Sequence, residues 1–201
     1  MTLILVRHGQ SEGNARGVIT GSIDVDLTEH GRAQARLVGA RLAAEPVAAV
    51  YASTLRRAVN TGAAVAQHHA IEVERLADLD EYRYGEAEGL SWPEMVERWN
   101  LTTDDWGRGV VPGEEGHPVF RKRIGSAIDE LRDRHREDVA VVACHGGTII
   151  QALGHLLDLP PHTSPRTRIA NCSLTVVEHR GGRDEIVMVN DVCHLDELTA
   201  P

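Results

Sequence analysis

Residues 139–157 read VAVVACHGGTIIQALGHLL. Val139 to Ala143 is a continuous apolar run of the length and β-branched character of a buried strand, and a helical pattern starts at Gly146 and carries to Leu157. The same change of period recurs along the chain. Leu3 to Val6 is a short buried-type strand, followed at residues 28 to 45 by a helix with Thr28 as N-cap and Pro46 as stop. Its apolar face is read as Ala33, Leu37, Ala40 and Ala44. Val47 to Tyr51 is a second strand, residues 54 to 69 an Ala/Val-rich helix, and Ile71 to Arg75 a third strand. Phe120, Ile124, Ala127, Ile128 and Leu131 then mark a helix over Val119 to Glu137. Ser173 to Glu178 and Glu185 to Val189 flank Gly181-Gly182, a hairpin signal. Alternating strands and helices specify an α/β fold of three layers, α/β/α, with a mostly parallel central sheet and one antiparallel strand from the final hairpin.

The chain has 201 residues, with 42% hydrophobic and 25% charged, the balance of a soluble globular protein. Its net charge of -9 argues against a nucleic-acid partner, which requires a basic surface to displace counterions from phosphates. It leaves room for one small anion in a local pocket. Lys122 is the single lysine among 21 basic residues; the planar fork of arginine suits phosphate or carboxylate, but a coding bias toward arginine gives the same count, which by itself decides nothing. Cys144, Cys172 and Cys193 are an odd number without C-x-x-C spacing, which fits a reducing cytoplasm. No apolar run approaches the roughly 18 residues of a membrane span, so no membrane partner is expected.

In parallel α/β sheets, ligands bind beyond the carboxyl ends of the strands. The first strand runs into Arg7-His8-Gly9, the second into Ser53-Thr54-Leu55-Arg56-Arg57, the third into Leu79-Asp80-Glu81, and the Val139 strand into His145-Gly146-Gly147. Two histidines, several arginines and a carboxylate thus follow four strand ends. That set suits phosphoryl transfer: arginine forks neutralise phosphate oxygens, a neutral imidazole attacks phosphorus, and a carboxyl protonates the leaving group.

Residues 6–14, VRHGQSEGN, resemble the signature of the histidine phosphatase superfamily, which includes phosphoglycerate mutases and many small-molecule phosphatases. Residues 53–62, STLRRAVNTG, resemble its second arginine motif; residues 79–89, LDEYRYGEAEG, its acid motif; and residues 143–147, ACHGG, its second histidine motif. The tail around Asn190-Asp191 and His194-Leu195 is similar to the phosphatase branch. The resemblance implies a phosphoglycerate mutase-like fold, one domain over 1–201 with a small helical cap insertion at about 82–118, and a phosphoric monoester hydrolase of the histidine acid phosphatase type. It implies His8 as nucleophile, Arg7 and Arg57 as phosphate clamp, His145 as partner of the transition-state charge, and Glu81 as general acid and base. Asn14 would be a further donor, with Gln10, Thr20, Gly21 and Gly146 lining the phosphate or substrate. Arg57, not Arg56, matches the motif, because it precedes Ala58. No metal and no cofactor are expected, the partner is a small phosphorylated substrate, and a homodimer is common among relatives. The acid motif departs from the family at Ala87, where a tryptophan is common.

Chemistry adds two expectations. The nucleophilic imidazole needs one nitrogen unprotonated, so the other should donate, most simply to a backbone carbonyl. Gly9 would let backbone N–H groups approach the phosphate, or would serve a sharp strand-to-loop turn. Cys144 beside His145 reads as a small buried residue. The other histidines, His30, His68, His69, His117, His135, His155, His162, His179 and His194, form no helical i, i+4 pair with the neighbours a zinc site needs. Trp92, Trp99 and Trp106 fall within one 15-residue stretch. The spacing of Trp92 and Trp99 puts both on one helical face, packing a cap on the sheet; an aromatic wall over the leaving group is the alternative. The resemblance implies an insert shorter than that of phosphoglycerate mutases, where extra cationic residues hold the substrate's carboxylate; here Arg83, Arg98 and Arg108 are mixed with Glu94, Glu97, Asp104, Asp105, Glu114 and Glu115, and a shorter, more open cap that admits water favours a phosphatase over a mutase. Three functions compete: metal-independent phosphatase through a phosphohistidine on His8, phosphoglycerate mutase-type phosphotransferase, and non-catalytic phospho-ligand binding protein.

Overall fold

The computed structural model describes residues 1–160 and 163–199. His162 lies outside them. Six strands form one sheet: β1 (Thr2–Arg7), β2 (Val47–Ala52), β3 (Val73–Arg75), β4 (Val139–Cys144), β5 (Leu174–Arg180) and β6 (Arg183–Asp191). Their spatial order is β3-β2-β4-β1-β5-β6. Pairings among the first four are parallel, while β5 runs against both β1 and β6, so it is the one strand of opposite direction. The fold is the expected α/β/α architecture with a mostly parallel sheet. β3 is shorter than the Ile71–Arg75 reading, because only Val73, Glu74 and Arg75 pair with β2.

The helices are α1 (Glu12–Arg16), α2 (Glu29–Leu42), α3 (Arg56–Ala66), α4 (Trp92–Trp99), α5 (His117–Arg134), α6 (Gly146–Leu156) and α7 (Asp196–Thr199). None is long and apolar enough to cross a membrane. Alternation along β1 sorts the layers: Leu3 and Leu5 pack with α5 and α6 through Phe120, Ile124, Ile128 and Ile149, while Ile4 and Val6 pack with α2 and α3 through Val38, Leu42 and Val65.

One reading of the sequence is corrected here. α2 buries Gly31, Ala35, Val38, Gly39 and Leu42, whereas Ala40 and Ala44 are exposed. At 100° per residue the buried set lies roughly 175° around the helix from the expected alanine face. Val38 and Leu42 are larger than alanine, and burying them removes more apolar surface from water, so they set the rotation.

Candidate active site

Register explains why two distant histidines meet. In the parallel pairing of β1 with β4, Arg7 lies opposite Cys144, so His8 and His145 leave the sheet side by side. Their ring centroids are 5.1 Å apart at an interplanar angle of 64°. On the other side of β4, Ala52 of β2 pairs with Ala143, which puts Ser53 next in line; its Oγ is 2.7 Å from His145 Nε2. Ser53 Oγ also accepts the Leu55 N–H, which leaves it one hydrogen and one lone pair for His145 Nε2. His8 Nδ1 donates to the Gly9 carbonyl at 2.7 Å, which leaves Nε2 as the unprotonated nitrogen.

Arg57, in the first turn of α3, is wholly buried. Its two terminal nitrogens donate to the carbonyls of Ile23 and Gly21, at 2.8 and 2.7 Å. Gly21 adopts a φ of +47°, a conformation that favours glycine. Arg7 donates through Nη1 to the Ile169 carbonyl at 2.6 Å. Neither Nε has a partner among the described residues, although both are buried, and His145 Nδ1 shares that condition.

Glu81 arrives from the turn after β3. Its Oε1 accepts the Tyr82 N–H and its Oε2 the Gly147 N–H at the start of α6. A side chain on Gly147 would overlap Glu81 Oε1, and one on Gly146 would touch Arg7. The loop is held from below by Arg123 of α5, which donates to the carbonyls of Asp78, Asp80 and Glu81 and pairs with Glu115 at 2.8 Å. Ala87, the departure from the family motif, is fully buried with Ile19, Met95 and Val111.

Asn14 closes a capping box with Ser11 at the start of α1. Its Oδ1 accepts from the Ser11 backbone, the Ser11 hydroxyl and Asn171 Nδ2, so its NH2 group remains the donor. Asn171 also donates to the His8 carbonyl at 2.9 Å. The Gln10 side chain is held by Thr28 at the start of α2, and the Thr20 methyl abuts Gly13; these two make scaffold contacts. Gly9 has a packing role as well. Its N–H donates to Thr61 Oγ1, and a side chain there would overlap the Gly31 carbonyl, so it is required for the close passage of two backbones.

The electrostatics follow from burial. His8 lies well below the ordinary imidazole value, first because burial disfavours its charged form, then because of Arg7 and Arg57. His145 is lowered likewise by burial, then by Arg57, His8 and Arg7. Burial also lowers Arg7 and Arg57, with Glu81 opposing the shift in each. Burial pushes the Cys144 thiol up, followed by Glu81, so it stays protonated and packs as the small buried residue expected.

Residues 82–116 make an aromatic chain from core to surface. Phe120 meets Tyr82 at 5.3 Å, Tyr82 meets Tyr84 at 4.7 Å, Tyr84 meets Trp92 at 5.4 Å and Trp92 meets Trp106 at 5.2 Å between centroids. Trp92 and Trp106 remain 43% and 41% exposed. Trp99 instead joins the small cluster of Ile19, Met95 and Val111, so Trp92 and Trp99 do not share a packing face. Trp92 is the first residue of α4, and helical side chains lean toward the N-terminus, which carries its ring off the helix end onto Tyr84. Among the described residues, Asp191, Cys193 and His194 form one metal-ligand-like group, their ligand atoms within 4.8 Å of one another.

Sequence reasoning missed Ser53, Thr61, Asn171 and Arg123. Ser53 could have been found, since it is the first residue past β2 by the same rule that selected the histidines. The tail residues work through the Ile169–Cys172 segment: Asn190 Oδ1 accepts the Ala170 N–H, and His194 Nε2 donates to the Cys172 carbonyl.

Residues 3–192 match the histidine phosphatase superfamily (branch 1). The chain belongs to that family. It is 30% identical over 201 residues to putative phosphoserine phosphatase 2 of Hydrogenobacter thermophilus, covering 98% of each chain. It is 31% identical to the metal-independent phosphoserine phosphatase of Arabidopsis thaliana, covering 98% of this chain and 84% of that one. Among solved structures, Bacillus stearothermophilus YhfR superposes with a TM-score of 0.87 at 29% identity, covering 96% of this chain and 98% of that one.

Proposed function

We propose that this protein is a metal-independent phosphomonoesterase that hydrolyses a small phosphorylated metabolite, phosphoserine being the first candidate, through a phosphohistidine on His8. The observation that carries this reading is a set of three buried side-chain nitrogens without partners among the described residues, Arg7 Nε, Arg57 Nε and His145 Nδ1, on the two arginines whose charges act on His8 and the histidine whose ring meets it. Buried donors are nearly always satisfied. Three left open around one unprotonated imidazole make a preformed cradle for phosphoryl oxygens. Two relatives named as phosphoserine phosphatases support the substrate class.

Each residue then has a task. His8 Nε2 donates its lone pair to phosphorus while the bond to the leaving oxygen breaks and the Glu81 carboxyl gives that oxygen its proton. Arg7, Arg57, Asn14 and His145 stabilise the negative charge on the transferring group. Glu81, now a carboxylate, takes a proton from water as the water oxygen attacks phosphorus; the phosphorus–nitrogen bond breaks and phosphate leaves. Because His8 is held neutral well below the usual imidazole value, the nucleophile survives into acidic solution, which supports the acid-phosphatase character.

The cap argues for water as acceptor. Arg83 pairs with Glu115 at 3.4 Å and Arg98 lies over Trp99 at 4.9 Å, so two of its arginines are engaged and do not form the cationic wall of a mutase. Free Cys144, Cys172 and Cys193 support a reducing, cytoplasmic setting. The test is phosphate release from p-nitrophenyl phosphate and phosphoserine in EDTA. Turnover that persists in EDTA and is lost in His8→Ala supports the reading; loss in EDTA, or turnover dependent on a bisphosphate primer with little phosphate released, overturns it.

A further inference from the structure

An open cleft of about 520 Å³ lies beside the cluster, lined by Arg7, Gln34, Arg168, Ala170, Asn171 and Asp196 among others. Its volume suits a small ligand. The cleft wall and the cluster are one hydrogen-bonded unit: the Ile169 carbonyl takes the Arg7 guanidinium, and Asn171 reaches both the His8 carbonyl and Asn14. A group held in this cleft therefore has a fixed position relative to a phosphate on Arg7.

The donors in the cleft are of one kind. Arg168 is exposed, and its guanidinium makes no ion pair or hydrogen bond among the described residues, although most carboxylates of this acidic chain lie on the surface. Gln34 Oε1 accepts the Gln10 N–H at 2.9 Å, so the end of that amide left to bind is its NH2. One guanidinium fork and one amide NH2 match a carboxylate.

We infer that Arg168, with Gln34, is the specificity determinant that binds a carboxylate on the leaving group of the substrate. This inference rests on the phosphatase reading above and narrows its substrate class to phosphorylated hydroxy acids and amino acids. The test uses phosphoserine and phosphoethanolamine, which share phosphate and amine and differ by the carboxylate. Wild-type protein is expected to prefer phosphoserine in kcat/KM by about tenfold or more, as a charge-assisted hydrogen bond is worth. In Arg168→Ala the ratio falls toward one through a higher KM for phosphoserine, and Arg168→Lys recovers part of it. An unchanged ratio in Arg168→Ala, or no wild-type preference, overturns the inference while p-nitrophenyl phosphate turnover leaves the phosphatase reading standing. Should no ester be hydrolysed, the phosphatase reading fails, and calorimetric binding of phosphoserine against phosphoethanolamine to wild type and Arg168→Ala still decides the carboxylate site: tighter phosphoserine binding that depends on Arg168 supports it, equal binding overturns it.

Discussion

The strand-end cluster and the 82–116 segment above it are built on opposite terms. His8, Arg57 and His145 are 4%, 0% and 0% exposed; sheet register places the two histidines, and the three side chains are held by the Gly9 carbonyl, the Ile23 and Gly21 carbonyls, and Ser53 Oγ. The segment puts Trp92 and Trp106 at 43% and 41% exposed at the outer end of a file of rings that starts at Phe120. Chemistry requires donors and nucleophile held to fractions of an ångström, which a parallel sheet edge supplies. The 82–116 segment instead packs Ala87, Met95 and Val111 with Ile19 in a small cluster apart from the two faces of the sheet.

If the sheet edge carries the reaction, its variants should cost far more than any change above it. His8→Ala should lower kcat on every ester by roughly four orders of magnitude or more, as removal of a nucleophile does. Arg57→Ala should lower it by about 100- to 1,000-fold, the worth of one preorganised donor, and Arg57→Lys should not restore it, because a point charge cannot replace a fork bonded to the Ile23 and Gly21 carbonyls. Glu81→Gln separates the steps: an alkyl phosphate such as phosphoserine should lose about 100-fold or more, whereas p-nitrophenyl phosphate, whose leaving group needs no proton, should still give a burst of p-nitrophenol. A burst lost in equal measure for both esters would remove Glu81 from the acid role.

Stability should follow the same division. His8 and His145 are held neutral, so below about pH 6.5 the unfolded chain binds protons that the native state refuses. Stability is therefore full above the unfolded value and falls as pH drops, at up to about 1.4 kcal/mol per pH unit for each histidine. Denaturant midpoints between pH 7 and 5 should fall less in a His8→Asn, His145→Asn double variant; parallel curves would contradict the buried neutral pair. The smallest effect belongs to the cap. Trp92→Ala should cost about 0.5–1.5 kcal/mol from its ring pairs and change kcat/KM for phosphoserine by no more than a few-fold. A larger loss would move the aromatic chain from support into substrate contact.

The same division explains what could be read from sequence. Strand ends are legible because an apolar run stops there, and Arg7, His8, Arg57 and His145 stand at or just past such a stop, whereas Glu81 comes after β3 and a further turn at Ala77–Leu79. The single antiparallel strand was legible from Gly181-Gly182. The rotation of α2 was not, since Ala33, Leu37, Ala40 and Ala44 have the right spacing and only packing against Ile4 and Val6 selects Val38 and Leu42. Asn171 and Arg123 were invisible for another reason: each bonds backbone carbonyls 163 and 42 or more residues away, and no local pattern encodes such a pairing. Trp92 was misassigned because helical spacing ignores the tilt of a side chain at a helix end.

The account turns on which atom carries the phosphoryl group. Glu81→Gln protein, in which phosphorylation by p-nitrophenyl phosphate continues while attack by water slows, should be quenched in alkali during turnover in EDTA, digested and analysed by mass spectrometry and 31P resonance. One alkali-stable, acid-labile phosphate per chain on Nε2 of His8 is the expected result. A phosphate on another residue, or no phosphoenzyme while product forms, would contradict it.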